Sequence, residues 1–553
     1  MRTDFVRIYK SVHTWTGILT GMALFIAFYA GALTVFKEPL ARWIAPPGAL
    51  QQIPLEQAPQ LIARTLAAHP DSRRDFTLHL RQAEHLPAPM GWQTRPTEAD
   101  DHDETAVRHF VATLDGNGEP QVQAHQPSAL PHFIDVLHRV VGLPVDTDPN
   151  RWIMGIVAAL YTLALVSGVV VLMPSLVKDF FALRLGRNLK RMWLDAHNVV
   201  GIVSLPFHLV MALTAVVFAY HNGIYALQDK LIHDGQWSTA FQRQQPAEGP
   251  QEKRDPSQML PPLELVAKAR AFAPGFTPSM LQYQQVTGPR AVVRVWGKDE
   301  AAVSPRARGG FLALDPYTGR VLSSDFLPGR QSTPNLFISS FFALHMAAFG
   351  GTPVQWMYFL LGLAGAWLFY SGNLLWVESR RCKQARDAAT PPPQRRDARL
   401  MAAATVGVCL GCICGISLEL VGGKWLYALS GGGNEATGLL YYSAFFAAIA
   451  WAFLAGAGRA AVHLLWLACA LTLAIPLTSL TGALLPGSGL WAHGSPASLG
   501  VDLTALAGAA CFALMARATQ RRLSQGRQDS VWAPPTRQPG DAPGQGAENG
   551  SPV

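Results

Sequence analysis

Long stretches of apolar side chains set the limits on what this chain can fold into. Eight of them, approximately Gly17 to Phe36, Arg151 to Met173, His197 to Tyr220, Pro353 to Val377, Leu400 to Val421, Gly438 to Leu454, Val462 to Leu484 and Ser498 to Met515, read as spanning helices. A helix rises about 1.5 Å per residue, so about 20 apolar residues match the roughly 30 Å hydrocarbon core of a bilayer. Of 553 residues, 49% are hydrophobic and 15% charged, against roughly 25% charged in an ordinary soluble domain. A soluble cytosolic enzyme, a disordered chain and a collagen are excluded. The fold expected is a mainly α-helical membrane protein with about eight transmembrane helices.

The net charge of +8 does not point to nucleic acid, because the basic residues flank the apolar runs instead of forming one patch. Arg2, Arg7 and Lys10 precede the first span; Lys178, Arg184, Arg187, Lys190 and Arg191 follow the second. Arg380, Arg381, Lys383, Arg386, Arg395, Arg396 and Arg399 follow the fourth, and Arg517, Arg521 and Arg522 the last. By the positive-inside rule these ends are cytoplasmic, both termini included. Ala30-Gly31-Ala32 resembles a leader cleavage site, but the apolar run continues through Leu33 to Phe36. All six cysteines lie in apolar runs or the basic loop, so no disulfide-stapled ectodomain is expected.

These signals divide the chain into an amino terminus with the first span (1–36), an outward module (37–150), spans two and three with their basic loop (151–220), a second outward module (221–345), a fourth span (346–378), a basic linker (379–399), a further bundle of about four spans (400–516) and a disordered tail (517–553). Each outward segment reads as a small α+β module. Leu55 to Ala68 and Leu263 to Phe272 have helical periodicity, whereas Arg108 to Leu114, Ala291 to Trp296 and Gly310 to Leu314 read as strands. The turns Asp115-Gly-Asn-Gly118 and Asp315-Pro-Tyr-Thr-Gly319 follow strands.

The chemistry is carried by an internal duplication. His13-Thr-Trp-Thr-Gly17 opens the first span and His197-Asn-Val-Val-Gly201 the third; His138 and Gly142 precede the second as His345 and Gly350 precede the fourth. Trp152 and Trp356 then begin spans in which a Ser-Gly pair, Ser167-Gly168 or Ser371-Gly372, follows 15 residues on. His13 and His197 fall at the inner face, His138 and His345 at the outer. Two neutral imidazoles from facing helices can hold one low-spin b-type haem, so the four histidines read as ligands of two haems that carry electrons across the bilayer. Gly17 and Gly201, at i+4 and so on the ligand's helix face, leave room for a flat macrocycle.

His208 is a secondary ligand candidate, eleven residues after His197, which is about 16 Å along a continuous helix and only about 20° off its face. Arg139 and Arg191 mark interfaces or pair with haem propionates. A single histidine at a membrane edge is ordinarily an interfacial hydrogen-bonding residue; the duplication with matched glycines is what favours ligation. Trp15, Trp152, Trp193 and Trp356 read as interfacial anchors, the Ser-Gly pairs as close packing, and Cys409, Cys412 and Cys414 as small hydrophobes. His463 and His493 have no repeat partners. The dispersed His69, His79, His85, His102, His109, His125 and His132 read as solvated.

With these motifs in view, the chain resembles the PepSY-associated transmembrane family of bacterial inner-membrane proteins, which contains iron-regulated membrane proteins and haem-containing ferric-siderophore reductases. The residues that carry the likeness are His13-Thr-Trp-Thr-Gly17, Leu137-His138-Arg139, Asp195-Ala-His197-Asn-Val-Val-Gly201 with Leu205-Pro-Phe-His208, Leu344-His345, and the PepSY-like Gly310-Phe-Leu-Ala-Leu-Asp-Pro-Tyr-Thr-Gly319. The resemblance implies an inner-membrane oxidoreductase with two b-type haems. It would take electrons from a cytoplasmic or membrane donor, reduce a ferric siderophore or other ferric chelate in the periplasm, and release Fe(II). The region 401–516 is an addition to that pattern. Two other classes stand beside this one: a PepSY-type periplasmic binding, assembly or peptidase-regulating protein without redox activity, and a permease.

Overall fold

The computed structural model describes residues 3–48, 50–81, 83, 85–94, 107–144, 151–181, 189–232, 254–304, 309–385, 390–430, 433–434, 436–525 and 529–533. Arg2, Arg184, Arg187, Arg386 and His102 lie outside them, as does the tail beyond 533.

Among the described residues, seven helices are long and apolar enough to cross a membrane. In the duplicated region they are α1 (Thr3–Thr34), α5 (Arg151–Leu172), α8 (Leu205–Ile232) and α11 (Gly351–Ser379). Short helices α2 (Lys37–Ile44), α4 (Leu130–Arg139), α6 (Leu176–Phe180), α7 (Leu189–Val203) and α10 (Thr333–Met346) flank them. The Thr16 and Thr20 hydroxyls donate to the Val12 and Thr16 carbonyls, four residues back, as lipid demands of a hydroxyl that cannot reach water. α1 runs between α5 and α11 and also touches α4.

Two expectations about the spans change. The third is not one helix from His197 to Tyr220: the chain bends at Ser204, and Pro206, which has no N–H to donate, sits in the first turn of α8. His197 and His208 therefore belong to different helices. The eighth expected span, Gly438 to Leu454, is a 17-residue helix, about 25 Å long, bounded by Gly438 and Gly456 at φ +84° and +80°. It falls short of the seven.

The polar segments also fold differently from expectation. Each contributes a helix, α3 (Ala58–Ala68) or α9 (Pro262–Phe272), and then four strands: β1 (Asp75–His79), β2 (Met90–Thr94), β3 (Arg108–Leu114) and β4 (Pro120–Ala124) from the first; β5 (Thr277–Gln284), β6 (Val292–Lys298), β7 (Gly310–Leu314) and β8 (Val321–Ser323) from the second. They are not two separate modules. β1 pairs antiparallel with β5, Phe76 opposite Tyr283 and Leu78 opposite Leu281, giving one eight-stranded sheet in the order β4-β3-β2-β1-β5-β6-β7-β8. Alternate residues of these strands, with Leu61 and Leu66 of α3 and Leu265 and Ala269 of α9, form one core. Pairing β1 with β5 removes two open edges and joins two cores that would each be small.

Beyond α11 lies a second bundle: α12 (Arg396–Leu429), the short α13 (Leu439–Ala455), α14 (Ala457–Leu484) and α15 (Pro496–Gln525). Its richness in small residues has a packing cause. A Cβ on Gly407, Gly411 or Gly415 would come within 3.0 Å of α13 atoms, so this one-turn-spaced stripe lets two backbones approach closely. Cys409, Cys412 and Cys414 are buried free thiols in the same core.

The expected tail from 517 is part of α15 as far as Gln525, and residues 529–533 are anchored: Asp529 pairs with Arg381 at 3.6 Å, and the Trp532 indole donates to Glu378 at 2.6 Å. An acidic and an aromatic side chain make this docking, which composition alone does not reveal.

Candidate functional site

Four histidines meet in two pairs at opposite ends of the duplicated helices. The rings of His13 on α1 and His197 on α7 have centroids 6.5 Å apart and planes crossing at 74°. Those of His138 on α4 and His345 on α10 stand 5.9 Å apart at 41°. The second pair lies at the end of the helices that carries the sheet, where Lys298 of β6 pairs with Glu38 of α2. His138 bonds α1 at Ala27, fourteen residues past His13, so the two pairs are set about 21 Å apart along that helix.

In each ring one nitrogen is already committed. His13 Nδ1 lies 2.8 Å from the Ala164 carbonyl and His138 Nδ1 2.7 Å from that of Ala27; a carbonyl only accepts, so both nitrogens carry the proton. His197 Nδ1 lies 3.0 Å from the Ser371 hydroxyl, which donates to Leu368, and His345 Nδ1 lies 2.9 Å from the Thr214 hydroxyl, which donates to Val210. A hydroxyl has one proton; with that proton given to a carbonyl it accepts from the imidazole. All four histidines thus share one tautomer, with the lone pair on Nε2. Burial first and the neighbouring His138 ring second push the His345 imidazole down to about 3, which keeps that lone pair available at neutral pH.

Small residues make these bonds possible. A Cβ on Gly168 would stand 2.9 Å from the His13 ring, and one on Gly31 2.7 Å from His138 Nδ1, closer than atoms pack; on Gly372 it would reach the His197 ring at 3.6 Å, an ordinary contact. The Ser-Gly pairs, expected to serve helix packing, therefore seat the inner histidines, and Gly31 of the apparent cleavage motif seats an outer one. Gly17 and Gly201 behave otherwise: a Cβ on Gly17 would meet nothing within 4 Å, and on Gly201 only Leu368 at 3.9 Å. Beside both inner ligand candidates there is open space.

His208 joins neither ring pair. It is 3% exposed, its Nδ1 lies 2.6 Å from the Tyr161 hydroxyl, and its ring is enclosed by Phe28, Phe207 and Phe369. Its Nε2 is buried without a hydrogen-bond partner, as is Nδ2 of Asn373, a residue the sequence reading passed over, which faces Gly21 of α1. Arg139 extends from His138's own helix toward Asp135, Nε 3.7 Å from the carboxylate, and Arg191 is exposed on α7. Among the rest, His493 bonds the Ala45 carbonyl and His463 stacks on Trp451. Among the described residues no group of three or more His, Cys, Asp or Glu is placed to hold a metal ion.

The spacing of the pairs has a chemical meaning. Two metal–imidazole bonds of about 2 Å each, plus about 1.1 Å from each nitrogen to its ring centre, put the centroids of opposed ligands about 6.2 Å apart. The observed 6.5 and 5.9 Å bracket that value. Each pair has the spacing and the free lone pairs to bind a metal from two sides.

A family model described as PepSY-associated TM region matches residues 10–379. The chain belongs to this family. No curated protein matches it at a significant level. The PepSY-associated TM region takes in all four paired histidines and the whole sheet, and it ends at Ser379, the last residue of α11. The bundle α12–α15 lies outside it.

Proposed function

We propose that this multi-pass membrane protein holds two b-type haems, one between His13 and His197 and one between His138 and His345, and passes electrons across a bacterial inner membrane to a ferric siderophore or other ferric chelate in the periplasm. The observation that carries the reading is the common state of the four histidines: Nδ1 tied to the protein and the rings met in pairs with centroids 6.5 and 5.9 Å apart. A protein group on the far nitrogen is the usual way of fixing a ligand's tautomer and orientation. Each pair offers only two nitrogens, so a metal held there needs equatorial donors from elsewhere, as a porphyrin provides. When bound, haem supplies a one-electron Fe(III)/Fe(II) couple.

The chain's own residues do the rest. His13, His197, His138 and His345 hold and orient; the space beside Gly17 and Gly201 receives a flat ring; Phe28, Tyr161, His208 and Phe369 pack the interval between the two levels and exclude water. The sheet end faces the periplasm and both termini face the cytoplasm, as the basic loops require. An electron delivered to a ferric chelate leaves Fe(II), which hard oxygen donors grip less firmly. Its source is a cytoplasmic or membrane donor.

The reading is tested on purified full-length protein. Dithionite should produce the Soret and α bands of low-spin haem, with two haems per chain by pyridine haemochrome, and the reduced protein should be reoxidised by a ferric chelate with Fe(II) trapped as product. His13→Ala and His197→Ala should each remove one haem, and His138→Ala and His345→Ala the other. Protein without these bands, expressed in haem-replete cells, would overturn the proposal.

A further inference from the structure

The bundle α12–α15 has no place in the electron path just described; besides contacts to Trp43 of α2 and one from Arg522 to Met192 of α7, a set of its polar contacts holds both ends of one element that does. That element is α4, which carries His138. α4 has ten residues and follows Ala129, an N-cap whose methyl side chain accepts no hydrogen bond; a helix this short is marginal alone. Asn434, in the link between α12 and α13, supplies what is missing: its Oδ1 accepts from the Ala129 N–H at 3.0 Å and its Nδ2 donates to the Pro127 carbonyl at 2.8 Å. Tyr427 of α12 donates its hydroxyl to the Gln126 carbonyl. At the other end of α4 the chain turns through Val141 at φ +51° and Gly142 at φ +80°, a conformation a β-branched residue avoids. Tyr442 of α13 donates to the Leu143 carbonyl at 2.8 Å directly after it. Between the two ends the Phe133 ring packs on Tyr441 and Tyr442. The repeat counterpart α10, which carries His345, packs on α8.

We propose that Asn434, Tyr427 and Tyr442 are positioning residues for His138: the added bundle grips α4 at both ends, fixing the angle at which this imidazole meets its partner and so setting the properties of the outer site alone. The proposal rests on the ligand reading above and goes beyond it, since every residue of the grip lies outside the family match. The ring angles supply an internal label. The outer rings cross at 41° and the inner at 74°, and the low-spin ferric signal of a bis-imidazole haem depends on that angle, so the two haems should give distinct electron paramagnetic resonance signals.

The experiment uses full-length, haem-loaded protein. Tyr442→Phe and Asn434→Ala should shift the g-values and midpoint potential of one haem while the other stays fixed and both remain bound. Asn434→Asp, which keeps the acceptor for Ala129, should lie between wild type and Asn434→Ala. Trp425→Phe, which removes an indole bond to Thr478 inside the same bundle, should move neither signal. Two haems with unchanged signals and potentials in Tyr442→Phe and Asn434→Ala would overturn the proposal alone, as would equal shifts in these variants and in Trp425→Phe. Wild-type protein without haem would overturn the ligand reading and this proposal with it.

Discussion

His13 and His138, from the first half of the duplication, donate directly to main-chain carbonyls, whereas His197 and His345, from the second half, donate to hydroxyls that in turn donate to carbonyls. The correspondence runs deep at the inner site: Ser167 also donates to Ala164, and Ala164 and Leu368 stand three residues before Ser167 and Ser371. At the outer site the difference is one interposed oxygen; at the inner site the His197 ring also reaches the Leu368 carbonyl beside that oxygen. A direct bond draws the imidazole against the neighbouring helix, so a first-half histidine needs glycine beneath it, with 2.7 to 2.9 Å to an added Cβ. A hydroxyl spacer holds the ring off, and the glycine beneath His197 has 3.6 Å to spare. One ligand geometry is thus reached by two constructions, one depending on absent atoms and the other on a present one.

This contrast can be broken experimentally. The largest effects belong to the direct half: Gly31→Ala should cost the outer haem and Gly168→Ala the inner, each halving the haem content per chain by pyridine haemochrome, because the ring must leave its carbonyl to make room. Gly17→Leu should also displace the inner haem by filling the space beside His13; full occupancy would show that this space faces something else. In the spacer half, Thr214→Val and Ser371→Ala remove an acceptor without adding bulk. An unpaired buried N–H costs about 1–3 kcal/mol and lost outer-shell partners typically weaken a metal site about 10–100-fold, so titration with haem should show the corresponding site weakened by about that factor. Smallest of all, Gly372→Ala should keep both haems and leave the melting temperature within about 2 °C, an effect of at most about 0.5 kcal/mol. Equal losses from Gly372→Ala and Gly168→Ala would erase the distinction between the halves.

How much of this was legible depends on the range of the signal. Apolar runs and the repeat of His and Gly are local patterns, and they located the long helices and named the four histidines that pair in space. The Ser-Gly pairs were visible too, but their role was not: a glycine beneath an imidazole 155 residues away in sequence, as Gly168 is from His13, has the same signature as one that packs two helices. Gly31 was hidden by its likeness to a cleavage site. The placement of His208 relative to His197 assumed one helix, whereas Ser204 separates two, beside the Pro206 readable in Leu205-Pro-Phe-His208. The joining of β1 to β5 and the grip of Asn434 on Ala129 link residues hundreds of positions apart, and nothing in the periodicity of either partner announces them. β5 itself, with Pro278 near its start and a bulge between Pro278 and Met280, has too irregular an alternation to stand out.

The pairing of β1 with β5 bears on what can cross this protein. β1 belongs to the segment between α1 and α5, and β5 to the segment between α8 and α11, so the five aligned residue pairs from Asp75 with Gln284 to His79 with Met280 tie the two halves of the duplication together at one face. A transporter built from repeats works by rocking one half against the other to open alternate faces. Here that motion would tear a continuous ladder of backbone hydrogen bonds out of the middle of a sheet. A frame strapped in this way is held at this face against any rocking of one half past the other.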